Sequence, residues 1–546
     1  MIIEIKNTDR VNWSMRPLPP SNPREKPSLF FRYLDLVERI GNRLPNPVSL
    51  FLGLAALVVV MSAVASWFHI AVVHPGTGEP AYAFNLLSPA GLRRMFLEAI
   101  TNFTSFAPLG VVLFTVLGIA VAERSGLLAA LLRSSVRSVP PLVLPAVLVF
   151  IGVNSAIAGD AGFIILPPLG ALVFVSVGRH PIAGLAAAFA GVAGGFSASV
   201  FVTALDVLLG ALSHEAARVV VPTYVVEATA NYYFMTASAF LITICGTLVT
   251  TKIVEPRLGV WNGNAGAFDA NTGAFDANKG ATTGGTGGNV SAVSDYEQQR
   301  RALRATLITF IICIIATLAL VVPDYGILRD AENTLRPFFQ SIVVIATATF
   351  CLCGLTYGVI AGTIRTDRDA VKMMGDGMST MSSYIVLAFI IAQFVAYFKW
   401  SNLGIITAVG GADVLTSLHL SGPLLLVAFV GFSVLVDLLI GSASAKWAIL
   451  APVFIPMFML MGFTPEAVQA TYRIGDSVGN CTSPLLPYLP IVIMAARRYV
   501  PTASVGTMIS TMIPYSIVFG IAWTALLLVW LYAGIPLGPG VGAFLK

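Results

Sequence analysis

The sequence predicts an all-α polytopic membrane protein with nine transmembrane helices and two opposed re-entrant hairpins, arranged as inverted repeats with broken helices. Three observations predict this class: the composition, the length of the apolar runs, and a similarity between the two halves of the chain. Of 546 residues, 56% are hydrophobic and only 11% are charged, against roughly a quarter charged in a soluble domain. So few charges cannot cover a soluble surface, and so apolar a chain cannot stay disordered over most of its length.

Long apolar runs follow one another from residue 48 to residue 535. A helix that crosses the hydrocarbon core needs about 20 such residues. Four of the runs form two pairs, which are treated next, and the others are predicted spans. The nine predicted spans are 48–69, 107–121, 181–201, 230–252, 304–322, 335–363, 383–399, 467–493 and 504–535.

Each pair of runs encloses a short stretch of small and polar residues, which predicts a re-entrant hairpin at 141–176 and another at 421–463. The first arm, 141–153, is too short to cross about 30 Å of hydrocarbon at about 1.5 Å per residue. The alternative for each pair is two full spans joined by a tight loop. Arginines flank both ends of the first pair and almost no positive charge flanks the second, which favours hairpins that enter from opposite sides.

The placement of lysine and arginine then predicts a cytoplasmic N-terminus and an external C-terminus. Under this arrangement the cytoplasmic segments hold 23 of the 32 Lys and Arg residues, as the positive-inside rule expects. Lys446 and Arg473 remain inside the membrane. The external segments hold Arg93, Arg94, Arg218, Arg329, Arg336, Lys399 and Lys546.

A polar linker divides the chain and is predicted to be disordered, because its composition cannot bury a core. It repeats the sequence GAFDAN at Gly266–Asn271 and Gly273–Asn278 and continues into a Gly/Thr-rich tract. The predicted parts are a cytoplasmic tail (1–47), a first membrane half (48–252), the cytoplasmic linker (253–303) and a second membrane half (304–546).

The two halves resemble each other. A shift of 284 residues places 158–168 on 442–452, with four identities. The same shift places Gly195 on Gly479 and Ser199 on Ser483. Because the charge pattern gives the halves opposite orientations, the chain has the inverted-repeat plan of secondary transporters.

Each predicted hairpin is followed by a helix that Gly, Ser or Pro residues interrupt. Freed carbonyls and hydroxyl oxygens suit a hard cation such as sodium, and helix N-termini suit an anion. The alternative is close helix packing by small residues. The predicted sodium donors are Ser155, Gly195 and Ser199 in the first half and Ser442, Gly479 and Thr482 in the second, with Asn480 and Pro484 predicted beside the solute.

Charged residues within the membrane are functional candidates, because an unpaired charge there costs several kcal/mol. Lys446 and Arg473 are predicted to meet a solute's carboxylates. The alternatives are an internal Arg473–Asp476 pair at i,i+3 and pairing of Lys446 with Asp437 or Asp476. Trp447 either stacks on an aromatic solute or fills the hairpin core. The predicted ion-coupling residues are Asp160, Asp206, Asp437 and Asp476.

Enzymatic signals are weak. The five histidines have no metal-ligand spacing, and the five cysteines lie in apolar runs without a CxxC pair. No phosphate-binding loop of the GxxxxGK[ST] type is present. The sequence therefore predicts no catalytic residues, no cofactor other than a sodium ion or proton as coupling ion, and no nucleic-acid partner.

Four segments resemble the p-aminobenzoyl-glutamate transporter (AbgT) family. GSASAKWAILAPVFIP at Gly441–Pro456 and RIGDSVGNCTSP at Arg473–Pro484 are the most specific. The others are Gly178–Gly210 and Ala230–Gly259. The resemblance covers nearly the whole chain apart from the N-terminal tail and the linker.

The resemblance implies a bowl-shaped homodimer in a bacterial inner membrane, each protomer with nine spans and two hairpins. It implies transport of p-aminobenzoyl-glutamate and export of sulfonamide antimetabolites. The chain departs from the usual family pattern at Ser199 and Asp437, where Asn is usual, and at Val207, where Pro is usual. The family's functional positions fall on Asp206, Ser444, Trp447, Pro465, Arg473, Asp476 and Pro484, with Pro465 in a conformational role.

Three functions remain open at this point. The first is an ion-coupled secondary transporter of aromatic anions that works by an elevator-like movement of the hairpin domain. The second is a sodium-coupled dicarboxylate carrier. The third is a membrane-embedded enzyme that acts on lipid-linked substrates.

Overall fold

The computed structural model describes residues 47–73, 78–136, 140–158, 161–261, 268–269, 274–275, 289–324, 326–330, 333, 335–417, 422–438, 440–484, 486 and 488–545. These residues are mostly helical. Two short antiparallel ladders are present as well, β1 (Ala71–Val73) with β2 (Pro80–Tyr82) and β3 (Phe268–Asp269) with β4 (Ala274–Phe275).

The described residues up to 261 contain ten α-helices. Short π-helical turns extend α7 at Ala190–Gly194 and α9 at Thr250–Val254, and a 3₁₀ turn follows α5 at Ser155–Ala158. The helices are α1 (Pro47–Trp67), α2 (Pro89–Thr104), α3 (Ala107–Arg124), α4 (Leu127–Val136), α5 (Leu144–Asn154), α6 (Ala161–Ser176), α7 (Pro181–Phe189), α8 (Ala204–Ala217), α9 (Tyr232–Val249) and α10 (Glu255–Leu258).

The described residues from 289 to 545 also contain ten α-helices. They are α11 (Asn289–Val321), α12 (Arg336–Ala361), α13 (Asp367–Thr380), α14 (Ser382–Trp400), α15 (Leu403–Ser417), α16 (Pro423–Asp437), α17 (Ala443–Leu460), α18 (Pro465–Asn480), α19 (Leu489–Arg497) and α20 (Val505–Tyr532).

Seven helical stretches of the described chain are long and apolar enough to cross a membrane, or eight if the bent pair α13–α14 is one span. Seven of the nine predicted spans fall in these stretches or in the bent pair. The other two, 181–201 and 467–493, are interrupted, since α7 gives way to a π-helical turn and α18 ends at Asn480. Helix length alone therefore gives fewer spans than the charge pattern predicts.

Both predicted hairpins consist of two helices joined by a short connection. In the first, α5 has 11 residues and α6 has 16; in the second, α16 has 15 and α17 has 18. The first three are clearly shorter than the roughly 20 residues that a full span requires, whereas α17 is itself one of the seven stretches that are long and apolar enough to cross a membrane. The multi-span helical architecture is confirmed, whereas the division into nine spans and two hairpins stays a prediction.

The internal repeat extends to whole helices. The shift of 284 residues that aligns the sequence carries α6 onto the last sixteen residues of α17 and the first residue of α7, Pro181, onto the first residue of α18, Pro465. In both cases proline stands at the start of the helix, where its missing N–H leaves no hydrogen bond unmade. Equivalent elements therefore follow each hairpin in the two halves.

Ordered chain extends into the predicted linker from both sides. Glu255–Leu258 is helical, and α11 begins at Asn289, before the predicted end of the linker at residue 303. The centres of the two GAFDAN repeats pair with each other, Phe268 opposite Phe275. Helix and ladder satisfy the backbone groups of these residues locally, and the disordered linker stays a prediction. The rest of the linker lies outside the described residues, as does the tail 1–46.

Helix α15 was not predicted. Its sequence contains Gly410, Gly411 and Asp413, which interrupt the apolar run and lower its helix propensity. The helix nevertheless packs against α17, with Leu403, Ile405 and other small or apolar residues buried. Tertiary packing here overrides the local signal.

Candidate functional site

Helix α18 is the centre of the molecule's buried polar network. It begins at an N-cap, Thr464, whose hydroxyl accepts a hydrogen bond from the Ala467 N–H at 3.3 Å, and all sixteen of its residues are buried. Polar side chains nonetheless recur every three or four residues and so share one face. They are Glu466, Gln469, Arg473, Asp476 and Asn480. A fully buried helix with a continuous polar face requires partners from its neighbours.

Lys446 lies between two carboxylates in the first turn of α17, beside the connection from α16. Its Nζ pairs with Asp437 Oδ1, from the last residue of α16, and with Asp476 Oδ1, at 2.6 Å, from α18. The Tyr472 hydroxyl donates to the same Asp476 oxygen at 3.2 Å. All three charged side chains are at most 1% exposed, so each depends on the others for its stability.

Arg473 pairs with the first half of the chain. Its Nη1 lies 2.6 Å from Asp206 Oδ1, and its Nη2 donates to the Ser197 carbonyl at 2.8 Å. The other Asp206 oxygen accepts from the N–H and the hydroxyl of Thr203, both at 2.6 Å, which caps α8. Asp206 therefore stabilises the start of α8 and pairs with the buried Arg473 guanidinium.

The predicted internal pair Arg473–Asp476 is not formed. The alternative pairing of Lys446 with Asp437 or Asp476 is formed with both. Spacing along α18 favours an i,i+3 partner for Arg473. In the structure Asp206, on the helix that follows the break after α7, lies against the guanidinium instead.

The break after α7 in the first half contacts α18, the helix that precedes the break in the second half. The Ser197 N–H, in the break after α7, donates to the Ser477 hydroxyl at 3.0 Å. In the first hairpin, Asn154 Oδ1 accepts from the Val200 N–H at 2.9 Å. A Cβ atom at Gly479 would lie 2.5 Å from Asp437 Oδ2, so only glycine permits this approach of α18 to α16.

Several buried polar atoms of the network have no hydrogen-bond partner. They include the second carboxylate oxygens of Asp437 and Asp476 and the Nε of Arg473. With all groups ionised, the two cations face three carboxylates, which leaves one negative charge in excess. An excess charge in a buried site favours the binding of a further cation.

Trp447 fills the core in this conformation. Its side chain is fully buried and stacks on Tyr472, with ring centroids 4.5 Å apart. The indole Nε1 donates to the Ser213 hydroxyl at 3.0 Å, and that hydroxyl donates to Gln469 Oε1 at 2.6 Å. No face of the ring is open to a solute here.

None of the other predicted residues that the structure describes takes part in these ion pairs. The hydroxyls of Ser155, Ser199 and Thr482 are engaged with nearby backbone groups, and Ser442 caps α17 while its hydroxyl lies 3.4 Å from that of Ser444. Asp160 lies outside the described residues. Gly195 and Asn480 are buried, Pro484 is half-buried, and Pro465 starts α18.

Sequence reasoning missed Tyr472, Ser477, Ser213 and Gln469. For α18 a usable signal existed, since polar residues at i, i+3, i+7 and i+10 mark one face of an otherwise buried helix. For Ser213 none existed, because its role depends on the packing of α8 against α17. Among the described residues, no group of three His, Cys, Asp or Glu side chains could hold a metal ion.

A helical membrane protein whose interrupted helices enclose paired, buried charges has the features of a membrane transporter. Comparison with known proteins identifies the family. The model of the AbgT transporter family matches residues 32–545, and the chain belongs to this family. It is therefore a transporter, and the alternative of a membrane-embedded enzyme is wrong.

The relatives agree with this assignment. The p-aminobenzoyl-glutamate transport protein of Escherichia coli K12 is 41% identical over 511 residues, which cover 92% of this chain and 96% of that protein. The YdaH transporter of Alcanivorax borkumensis is 42% identical, with a TM-score of 0.83 over 91% of this chain and all of that one. Neisseria gonorrhoeae MtrF, described among antimetabolite efflux pumps, is 40% identical, with a TM-score of 0.84 over 93% of this chain and all of that one.

Proposed function

We propose that this protein is an ion-coupled secondary transporter of p-aminobenzoyl-glutamate and related aromatic anions, and that it exports sulfonamide antimetabolites. The names of the Escherichia coli relative and of MtrF support the solute class. The proposed location is the bacterial inner membrane, with the N-terminus cytoplasmic and the C-terminus external.

The observation that carries the proposal is the pair of buried cations, Lys446 in the first turn of α17 and Arg473 in the middle of α18. A solute with carboxylates can replace Asp437, Asp476 or Asp206 as their partner. Charge-assisted hydrogen bonds of this kind contribute about 1.5–3 kcal/mol each. Ser444, Asn480 and Pro484 would line the solute beside them.

The coupling ion would neutralise the excess negative charge of the network. A proton on Asp437 or Asp476, or a sodium ion, would free a cation to bind the solute. The unpartnered carboxylate oxygens support this step. Carbonyl and hydroxyl oxygens at Gly195, Ser199, Gly479 and Thr482 are of the type that sodium prefers, whereas the extra carboxylate at Asp437 favours a proton.

The proposed mechanism is an elevator-like movement of the two hairpins with the broken helices α7 and α18. The short lengths of α5, α6 and α16 support hairpins that do not cross the membrane. Nine spans and two hairpins of opposite orientation follow from the charge pattern. The proposed unit is a homodimer in the bilayer. Only 6% of the most apolar stretch of α11 is buried within the protomer, which leaves an apolar helix face available to a second copy.

Flux of labelled p-aminobenzoyl-glutamate into proteoliposomes tests the proposal. We expect Arg473→Ala and Asp476→Ala each to reduce flux at least tenfold, because each breaks a buried ion pair. Arg94→Ala is the control, since Arg94 forms an exposed pair with Glu98 and should retain flux. Unchanged flux in both site variants would contradict the site assignment.

A sodium-coupled dicarboxylate carrier is the second candidate. The buried, stacked ring of Trp447 favours it, because no aromatic face is open to a solute in this conformation. Competition distinguishes the two. Inhibition of flux by sulfonamides and p-aminobenzoate, and not by succinate, supports the aromatic anion; the reverse supports the dicarboxylate.

A further inference from the structure

A second buried carboxyl lies on α18, away from the paired charges. Glu466 is 0% exposed and stands in the first turn of the helix. Its Oε2 accepts a hydrogen bond from the Tyr224 hydroxyl at 2.9 Å. Its Oε1 is buried without a hydrogen-bond partner. In the described part of the chain no Lys, Arg or His side chain forms an ion pair with it.

The elements packed against α18 do not supply a charge for Glu466. Asp206 and Lys446 are committed to Arg473 and to the aspartates of the network. Apart from Tyr224, the titratable side chains on the neighbouring helices, on the connection between α8 and α9 and on α18 itself are Asp206, His214, Glu215, Arg218, Glu227, Asp437, Lys446, Tyr472, Arg473, Asp476, Tyr515 and Tyr532. None of these makes a hydrogen bond or ion pair with Glu466 in the described residues.

An ionised carboxylate that is fully buried with one hydroxyl partner is far less stable than the neutral carboxyl. The helix N-terminus offsets part of this difference. Oε1 has no donor to satisfy a negative charge, so the neutral form fits these surroundings better. The same helix face leads from Glu466 through Gln469 to Arg473 and Asp476, about 15 Å away at about 1.5 Å per residue.

The surroundings of Glu466 also provide a way to water. Tyr224 is only half-buried and lies in the connection between α8 and α9. The Asn231 amide donates to the Glu466 carbonyl at 2.8 Å, which holds the same connection against the start of α18. Movement of α18 relative to this connection would separate the Tyr224 hydroxyl from the carboxyl and admit water.

We propose that Glu466 is a second ion-coupling residue, which carries a proton in this conformation and releases it to water when its contact with Tyr224 opens. In that step the O–H bond of the carboxyl breaks, water takes the proton as hydronium, and the carboxylate remains until it is protonated again after the reverse movement. This inference rests on the proposed function, since it assigns part of the ion coupling to a residue outside the charge network.

Infrared spectroscopy of the purified protein in lipid tests the protonation without transport. At neutral pH we expect the wild type to show the C=O band of a protonated carboxyl, which Glu466→Gln lacks and Glu215→Gln retains. Glu215 is a half-buried carboxyl on α8 and serves as the matched control. Tyr224→Phe keeps the carboxyl and removes its partner, so the band should shift in frequency. A full, unshifted band in both Glu466→Gln and Tyr224→Phe would overturn the proposal.

Flux tests the coupling. The measured quantity is the ratio of solute flux with a pH gradient to flux without one. We expect this ratio to fall from its wild-type value towards one in Glu466→Gln and to keep its wild-type value in Glu215→Gln. A wild-type ratio in Glu466→Gln overturns the role of Glu466. A flux ratio of one in the wild type also overturns the role of Glu466, but it leaves the proposed function standing. Absence of solute flux in the wild type overturns the proposed function itself.

Discussion

At the scale of single residues, the buried charges define the site. The sequence predicts that Lys446 and Arg473 lie within the membrane, because they fall inside apolar runs. Their partners follow only in part. Asp437 lies nine residues before Lys446 and Asp476 thirty residues after it, whereas Asp206, the partner of Arg473, comes from the other half of the chain. Partners that tertiary packing supplies cannot be derived from spacing along one helix.

Lys446→Met tests the interdependence of these charges. The substitution leaves two buried carboxylates without their cation, and loss of one partner from a buried pair costs about 3–5 kcal/mol. We expect a loss of this size in the free energy of unfolding in detergent. Adding Asp437→Asn should restore part of it by removing one of the unpaired charges. A Lys446→Met protein as stable as the wild type would show that the pairing does not stabilise the fold.

At the scale of elements, the interrupted helices position the charges. The sequence predicts the bounds of the helices α5, α6, α16 and α17 to within a few residues, because small polar residues interrupt long apolar runs there. The sequence does not predict α15, because its glycines and its aspartate interrupt the apolar pattern. In the structure the apolar face of this helix packs against α17. Close approach of α18 to α16 depends on Gly475 and Gly479, where a Cβ would meet backbone or side-chain atoms of α16 at 2.4–2.6 Å.

Gly479→Ala tests this close approach. Its Cβ would overlap the Asp437 side chain, and overpacking of this kind costs about 1–3 kcal/mol. We expect lower thermal stability and lower solute flux. Gly431→Ala, on α16 with nothing within 4 Å of the new Cβ, should be neutral or stabilising by up to about 1 kcal/mol. Equal stability of the two variants would contradict the role of Gly479.

At the scale of the whole molecule, two similar halves meet at one helix. Ser197 of the first half bonds to Ser477 and Arg473 of the second. The family, the helical class and the repeat could be predicted from the sequence, since composition, charge placement and motifs carry them. The number of spans could not be obtained from helix length, because a span whose helix is interrupted contains no single helix long enough to cross the membrane.

Equilibrium binding of labelled p-aminobenzoyl-glutamate to the purified protein tests most directly that the buried charges hold the solute. The double variant Arg473→Met with Asp206→Asn removes an ion pair without leaving an unpaired charge, and an amide oxygen at this position can still accept the Thr203 N–H hydrogen bond at the start of α8. Arg179→Met with Glu255→Gln is the matched control, since that pair is about 21% exposed on both sides and remote from the network.

We expect the Kd of the Arg473–Asp206 double variant to rise at least tenfold, which corresponds to about 1.4 kcal/mol. The control pair should bind within about twofold of the wild type, a difference of less than about 0.5 kcal/mol. Wild-type affinity in the Arg473–Asp206 double variant, with the protein folded, would contradict the assignment of the solute to the buried charges.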